Sequence, residues 1–234
     1  TVDLREPTTT VADDAAAIYG DESVELTATV TDTTPVNAES LFFTVTGPDR
    51  DVDTDPVAVV DGAAVATLDI IGWPAGDYPV VASYSGSVDF QPSVSEESTL
   101  TVAKADPVVD AWPTASAITY GQTLADSVLS DGVALVDGLF AFDAPATAPD
   151  AGTAAQAVTF TPDDAANYNA VASTVDVSVG KADPVVDAWP TASAIAFGQT
   201  LADSVLSDGA ASVPGTFAFD APATAPDAGT AAQA

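Results

Sequence analysis

The chain carries one stretch of sequence twice. Lys104-Ala105-Asp106-Pro107-Val108-Val109-Asp110-Ala111-Trp112-Pro113-Thr114-Ala115-Ser116-Ala117-Ile118 returns unchanged at Lys181 to Ile195, 77 residues on. The correspondence runs to Ala234 and breaks only at Thr119, Tyr120, Val133, Leu135, Asp137 and Leu139. Repetition on this scale predicts modules that follow one another along the chain, each with its own core. A catalyst needs one site, whereas near-verbatim copies supply reach, spacing or valency.

Three segments follow. Residues 1–104 are unlike the rest, 105–181 form one repeat, and 182–234 are a partial copy of it. The partial copy stops at the counterpart of Ala157 and lacks the counterpart of 158–180. Thr1-Val2-Asp3-Leu4 is similar to Thr174-Val175-Asp176-Val177, so the first residues read as the closing strand of a preceding module. The expectation is a piece of a longer array. The rival is that a neighbouring chain donates the missing strands.

Alternation of apolar and polar residues marks strands throughout. Val24, Leu26, Ala28 and Val30 share one face, and Leu41 to Thr46 is a second apolar run. Val57–Val60, Asp61-Gly62 and Ala63–Ile71 read as a hairpin, because Asp-Gly suits a tight primed turn. Tyr78–Tyr84 and Ser98–Val102 complete the first segment. In the repeat the candidates are Val108–Trp112, Ala117–Tyr120, Val133–Val136, Leu139–Asp143, Ala157–Thr161 and Ala170–Val179. Short Ala-rich stretches at 15–17 and 164–166 are too close to turn residues to be helices. Many short strands with no helix between them predict an all-β sandwich.

The charge excludes several functions. With 35 acidic against 4 basic residues, the net charge is −31. Nucleic-acid binding needs the opposite sign, and so does docking on anionic lipid. No apolar run is long enough to span a membrane, and no signal peptide stands at Thr1. Cys, Met and His are absent. That removes disulfides, thiolate zinc sites and imidazole acid–base chemistry. Self-repulsion of this size calls for a saline or calcium-rich medium.

Two stretches carry a resemblance. Ala75-Gly76-Asp77-Tyr78, Tyr84-Ser85-Gly86-Ser87-Val88-Asp89-Phe90 and Leu100-Thr101-Val102 resemble the closing part of a bacterial Ig-like repeat. Val158-Thr159-Phe160-Thr161-Pro162-Asp163-Asp164-Ala165-Ala166-Asn167-Tyr168 resembles the closing half of the related MBG-type repeats of large surface adhesins. The resemblance implies tandem immunoglobulin-like β-sandwich domains in an extended array. It also implies a place outside the cell, at the surface, and a role as stalk or spacer. Asp164-x-Ala166-x-Tyr168 has the spacing of the tyrosine corner, in which a Tyr hydroxyl ties a crossover loop to nearby backbone. The first segment carries Phe90 where a Tyr is expected, so its corner should lack the hydroxyl.

Several constellations admit two readings. Asp49, Asp51, Asp53 and Asp55 could supply hard oxygens to Ca²⁺. The EF-hand pattern fails, since Thr54 stands where Gly belongs and Val60 where Glu belongs. The plainer reading is an acidic edge that discourages sheet-to-sheet aggregation. Asp106, Asp110, Asp163, Asp164, Asp183 and Asp187 gather near module boundaries, either to hold calcium or simply for solubility. Lys104 and Lys181, the only lysines, open the Lys-Ala-Asp-Pro linkers, where a salt bridge could set the joint. Pro107 and Pro184 fix φ there and shorten the linker. Trp73-Pro74, Trp112-Pro113 and Trp189-Pro190 are either sugar platforms or core residues at strand ends.

No catalytic or cofactor site is expected, calcium being the one candidate ligand. The chain reads as a structural spacer whose partners are neighbouring repeats of the same chain, with other copies of itself as an alternative. A self-assembling filament or surface-layer subunit, and a glycan- or protein-binding module, are the other readings.

Overall fold

Alternation governs the first segment in the computed structural model of the protein, which describes residues 7–32, 36–37 and 39–230. The closing strand expected at Thr1-Val2-Asp3-Leu4 falls on residues outside them. The described residues of the first segment form ten strands: β1 (Thr9–Ala12), β2 (Ala15–Ile18), β3 (Ser23–Thr31), β4 (Ser40–Thr46), β5 (Asp51–Asp53), β6 (Val57–Ala58), β7 (Ala63–Asp69), β8 (Gly76–Tyr84), β9 (Ser93–Val94) and β10 (Ser98–Ala103). One sheet has the order β1-β3-β7; the other runs β2-β10-β8-β4-β5, with β6 on β4 and β9 on β8. The inward residues are buried: Val24, Leu26, Ala28 and Val30 from β3, Ala64, Ala66 and Leu68 from β7. Leu41, Phe43 and Val45 of β4, Val80, Ala82 and Tyr84 of β8, and Leu100 and Val102 of β10 meet them. Two sheets face to face across one apolar core make a β-sandwich.

The chain changes sheet twice in ways that alternation does not reveal. Between β1 and β2, Asp13 accepts from the Thr27 hydroxyl at 2.8 Å, while Asp14 accepts from the Thr99 amide at 2.9 Å. Thr27 belongs to one sheet and Thr99 to the other, so adjacent aspartates clip the crossing to both. The Ala-rich Ala15–Ile18 is thereby a strand, parallel to β10. The expected Asp-Gly hairpin is corrected in part. Asp61 and Gly62 turn with φ of 51° and 81°, and Val60 and Ala63 exchange both main-chain bonds at 2.9 Å. Just before the turn, however, β6 pairs with β4 of the other sheet. The turn links two sheets.

The repeat builds a smaller arrangement. Its strands are β11 (Val109–Ala111), β12 (Thr114–Ala115), β13 (Ile118–Thr119), β14 (Leu129–Ser130), β15 (Val133–Ala134), β16 (Gly138–Phe142), β17 (Gly152–Pro162) and β18 (Val171–Gly180). A four-stranded sheet has the order β13-β18-β17-β16, and β11–β15 and β12–β14 form two short ladders. A 3-10 turn at Leu124–Asp126 is closed by Asp126, which accepts from the Thr123 amide at 2.8 Å. On β18, Val175, Val177 and Val179 are buried while Asp176 and Ser178 are exposed, as the period of two requires. Phe160 fills the centre, its ring 4.7 Å from that of Phe140, which meets Trp112 at 5.7 Å.

The partial copy repeats only part of this. β19 (Val186–Ala188) pairs with β22 (Ala210–Ala211), β20 (Thr191–Ala192) pairs with β21 (Leu206–Ser207), and Leu201–Asp203 is the 3-10 turn. By contact the chain divides into two units. One comprises Thr1–Ile118, Thr123–Thr147 and Thr153–Ser178; the other comprises Thr119–Gln122, Ala148–Gly152 and Val179–Ala234. The first linker therefore lies wholly inside the first unit.

Candidate functional site

β10 ends at Ala103, and its last carbonyl accepts from the Tyr19 amide at 2.8 Å. The next residues leave the sandwich without becoming a free tether. Ala105 forms a parallel bridge with Tyr168: its amide donates to Asn167 at 3.0 Å, and its carbonyl accepts from the Asn169 amide at 2.9 Å. Asp106 accepts from the Asn169 side-chain amide at 2.7 Å. The Lys104 ammonium donates to the Ala165 carbonyl at 2.6 Å. The hydrogen bond of Lys104 is thus to main chain. Pro107, which follows, is buried.

Asn167 holds the joint together. Its side-chain oxygen accepts from the Ala75 amide of the first sandwich at 2.8 Å. Its side-chain nitrogen donates to the Asp164 carboxylate at 2.8 Å, which orients the amide group. Its main-chain carbonyl takes the Ala105 amide of the linker. One side chain and its own peptide thereby tie sandwich, linker and repeat loop. Beside it, the Tyr168 ring meets Tyr19 edge-on, with centroids 5.3 Å apart and planes at 83°. Such a pair adds about 0.5–1.5 kcal/mol beyond burial.

The first sandwich presents Ala75 in a fixed position, and Tyr78 is the reason. Its hydroxyl donates to the Pro74 carbonyl at 2.7 Å. Pro74 C=O and Ala75 N–H belong to one planar peptide. That peptide is held by Tyr78 at its oxygen and by Asn167 at its nitrogen. Trp73 braces the same loop, packing on Tyr78 at 4.9 Å and over Gly47, where a Cβ would come within 3.1 Å of the indole. Burial pushes the Tyr78 phenol up from its ordinary pKa. The expectation that the first segment's corner lacks a hydroxyl is corrected. A hydroxyl bonded to nearby main chain is supplied by Tyr78, at the start of β8, rather than from position 90. In the repeat, the tyrosine at the matching sequence signal, Tyr168, spends its ring on the joint.

The structure thus gathers Lys104, Asp164 and Tyr168 in one place, with Pro107 adjoining. Lys181 and Pro184, their repeat-boundary counterparts, are exposed in the second unit. Asn167, Asn169, Tyr19 and Ala75 were not foreseen. A signal for Tyr19 existed, because an aromatic-Gly pair recurs at Tyr19-Gly20, Tyr120-Gly121 and Phe197-Gly198. Each forms the same turn, with the Gly at φ of 97°, 95° and 88°.

The other sequence candidates stand apart from this joint. Asp49 lies in the turn after β4, Asp51 and Asp53 project from β5, and Asp53 accepts from the Thr44 hydroxyl at 2.7 Å. Among the described residues, no three acidic side chains come together as a metal ion requires. Trp73 and Trp112 are half-buried among other rings, whereas Trp189 is 76 % exposed.

No curated protein matches the chain. The fibronectin(III)-like modules of Clostridium thermocellum CbhA align with 74 % of this chain and 94 % of theirs, at 18 % identity and a TM-score of 0.28. Residues 9–103, the two-sheet sandwich that carries Tyr78 and Ala75, match the bacterial Ig-like domain family, group 3, and the resemblance read from the sequence holds for that domain.

Proposed function

We propose that this chain is a non-catalytic spacer of a bacterial surface or secreted protein, whose Ig-like modules are joined by linkers that fix one module against the next. Bacterial Ig-like domains are typically non-catalytic and common in extracellular proteins, which supports the reading. The observation that carries it is the joint. A flexible connection between a binding module and its neighbour needs no keystone, yet Asn167 reaches Ala75, Asp164 and Ala105 at once. Each such bond contributes about 0.5–1.5 kcal/mol net, and together they oppose bending at the linker. A stalk of the adhesin type needs this property, because a limp linker transmits neither distance nor direction.

The test is residual dipolar coupling in the intact chain. Amides of 9–103 and of 105–178 should report one alignment tensor in the wild type. Asn167→Ala should split it into two. Independent tensors in the wild type would refute the proposal, and retention of one glycan from an array would move it toward a binding module.

A further inference from the structure

Strand β16 closes the four-stranded sheet of the repeat. In the order β13-β18-β17-β16 it has a neighbour on one side only. The ladder to β17 decides which of its peptide groups are spent. Leu139 stands opposite Thr161 and Ala141 opposite Thr159. In the same phase, one step beyond each end, the Asp163 amide donates to the Asp137 carbonyl at 2.9 Å and the Asp143 amide to the Ala157 carbonyl at 3.1 Å. In an antiparallel pair, residues of that phase bond to the neighbour and those between them point away from it. The N–H and C=O groups of Gly138, Phe140 and Phe142 are therefore directed outward. Among the described residues none of these three amides finds a main-chain acceptor. The strand lies tight on β17, since a Cβ at Gly138 would come within 2.5 Å of the Thr161 carbonyl.

Side chains along this edge alternate. The Phe140 ring packs on Phe160 and Phe142 is buried, whereas Asp137, Leu139, Ala141 and Asp143 are exposed. Leu139 is 67 % exposed. The outer face reads Asp-x-Leu-x-Ala-x-Asp, two apolar residues between two carboxylates. Edge strands are commonly blunted by a proline or by a charge along their length. Here the middle of the edge is apolar and unguarded. The copy supplies the contrast. Four of the differences between repeat and copy fall on alternate exposed positions, where Val133, Leu135, Asp137 and Leu139 become Ala210, Ser212, Pro214 and Thr216. The corresponding run in the copy reads Pro-x-Thr-x-Ala-x-Asp. A proline removes a donor and a threonine replaces the exposed leucine. Sequence that is otherwise nearly verbatim thus diverges at residues that make an edge adhesive or inert.

We propose that β16 is a docking edge for an extended segment of another protein, of the form Lys/Arg-x-apolar-x-apolar-x-Lys/Arg, which joins the sheet as a further strand. Its main chain bonds to Gly138, Phe140 and Phe142. Its basic residues stand opposite Asp137 and Asp143, and its apolar residues cover Leu139 and Ala141. Charge selects this occupant. Between Lys104 and Lys181 the chain has many aspartates and no basic residue. A second copy of the chain fits badly. The antiparallel register that uses all three outward residues sets Phe140 against its own counterpart and Asp137 against the second copy's Asp143, like charge against like. None of the bonds at the first linker involves β16, so failure of this proposal would leave the spacer reading intact.

The synthetic peptide Thr-Lys-Thr-Val-Thr-Val-Thr-Lys-Thr, added to the full chain, tests it, with anisotropy of labelled peptide and hydrogen exchange as readouts. Saturable binding is expected, with exchange slowed at the Gly138, Phe140 and Phe142 amides. Leu139 and Ala141, already bonded to β17, should change little. Leu139→Thr, which installs the residue of the copy, should weaken binding about tenfold by removing exposed apolar area. Asp137→Asn together with Asp143→Asn should weaken it about tenfold at low salt and less at high salt. These side chains are exposed, and a melting temperature no lower than that of the wild type shows that the fold is kept. Absence of saturation up to about millimolar peptide would overturn the proposal. So would equal binding by a peptide with Glu in place of both Lys, undiminished binding by Leu139→Thr, or protection that spares 138–142. Self-association of the chain that protects the same three amides without peptide would also overturn it, because a second copy would then occupy the edge.

Discussion

The Pro74–Ala75 peptide shows how one residue can act at a distance. Tyr78 touches nothing beyond its own sandwich in the polar contacts above, yet it fixes the donor that Asn167 receives. Tyr78→Phe should therefore cost about 1 kcal/mol in urea unfolding. It should also raise the exchange rate of the Ala75 amide by more than that loss explains, because the loop then moves independently of the core. Asn167→Ala should raise exchange at Ala75 and Ala105 together, whereas Tyr78→Phe should spare Ala105. The tyrosines also set an alkaline limit. Burial raises the phenol pKa of Tyr78 and of Tyr84, where the Ser87 side chain works the other way and Glu39 adds to the rise. Above about pH 10 an unfolded phenol ionises while the folded one keeps its proton, so the native state binds more protons and stability falls as pH rises. Melting temperature should be flat up to that point and decline beyond it, with a shallower decline in Tyr84→Phe. A profile unchanged by that substitution would show that another group governs the loss.

The repeat and its copy separate what a segment encodes from what its neighbours impose. β12–β14 and β20–β21 form alike, with Thr114 opposite Ser130 and Thr191 opposite Ser207. Their ladders are local and need only the turn between them. β16 is different. Its copy keeps four of five residues and is no strand, because a strand at that position exists through pairing with β17. Gly138→Ala should accordingly destabilise the chain by about 1–3 kcal/mol through overpacking, while Gly215→Ala should be close to neutral. Thermal melts of the two variants check this, and equal effects would mean that the copy carries a covered strand. The same division explains what could be read in advance. β3, β4, β8 and β18 were legible because alternation records a buried face in the strand itself. β2 was not, since four residues of Ala and Ile carry no alternation and the strand exists only by lying parallel to β10. The sheet change after Val57-Ala58 left no mark for the same reason. At the joint, the Lys-Ala-Asp-Pro linker advertised itself by repetition. Asn167 did not, because what matters is its reach to Ala75, 92 residues earlier in the chain.

Charge acts on the molecule as a whole. With a formal −31 over 234 residues, nearly every carboxylate has others of its own sign for company. Carboxylate bonds such as those of Asp13, Asp14 and Asp126 offset this locally by accepting from hydroxyls and amides. They neutralise nothing. The remaining repulsion is long-ranged and yields to screening, whose length falls from about 30 Å at 0.01 M salt to about 10 Å at 0.1 M. Melting temperature should consequently climb by several degrees between those concentrations and level off beyond them. The cation matters to the interpretation. A specific calcium site would stabilise by mass action, growing with the logarithm of free calcium after sodium screening is saturated. Diffuse screening would make calcium, magnesium and sodium equivalent once ionic strength is matched. The acidic side chains at Asp49, Asp51, Asp53 and Asp55 do not come together in threes, so equivalence is the expected result. A continued rise with calcium alone, at constant ionic strength in excess sodium, would instead place a true ion site among these carboxylates. Asp51→Asn and Asp53→Asn would then abolish that rise, whereas under simple screening they should raise the melting temperature slightly at low salt by removing two repelling charges.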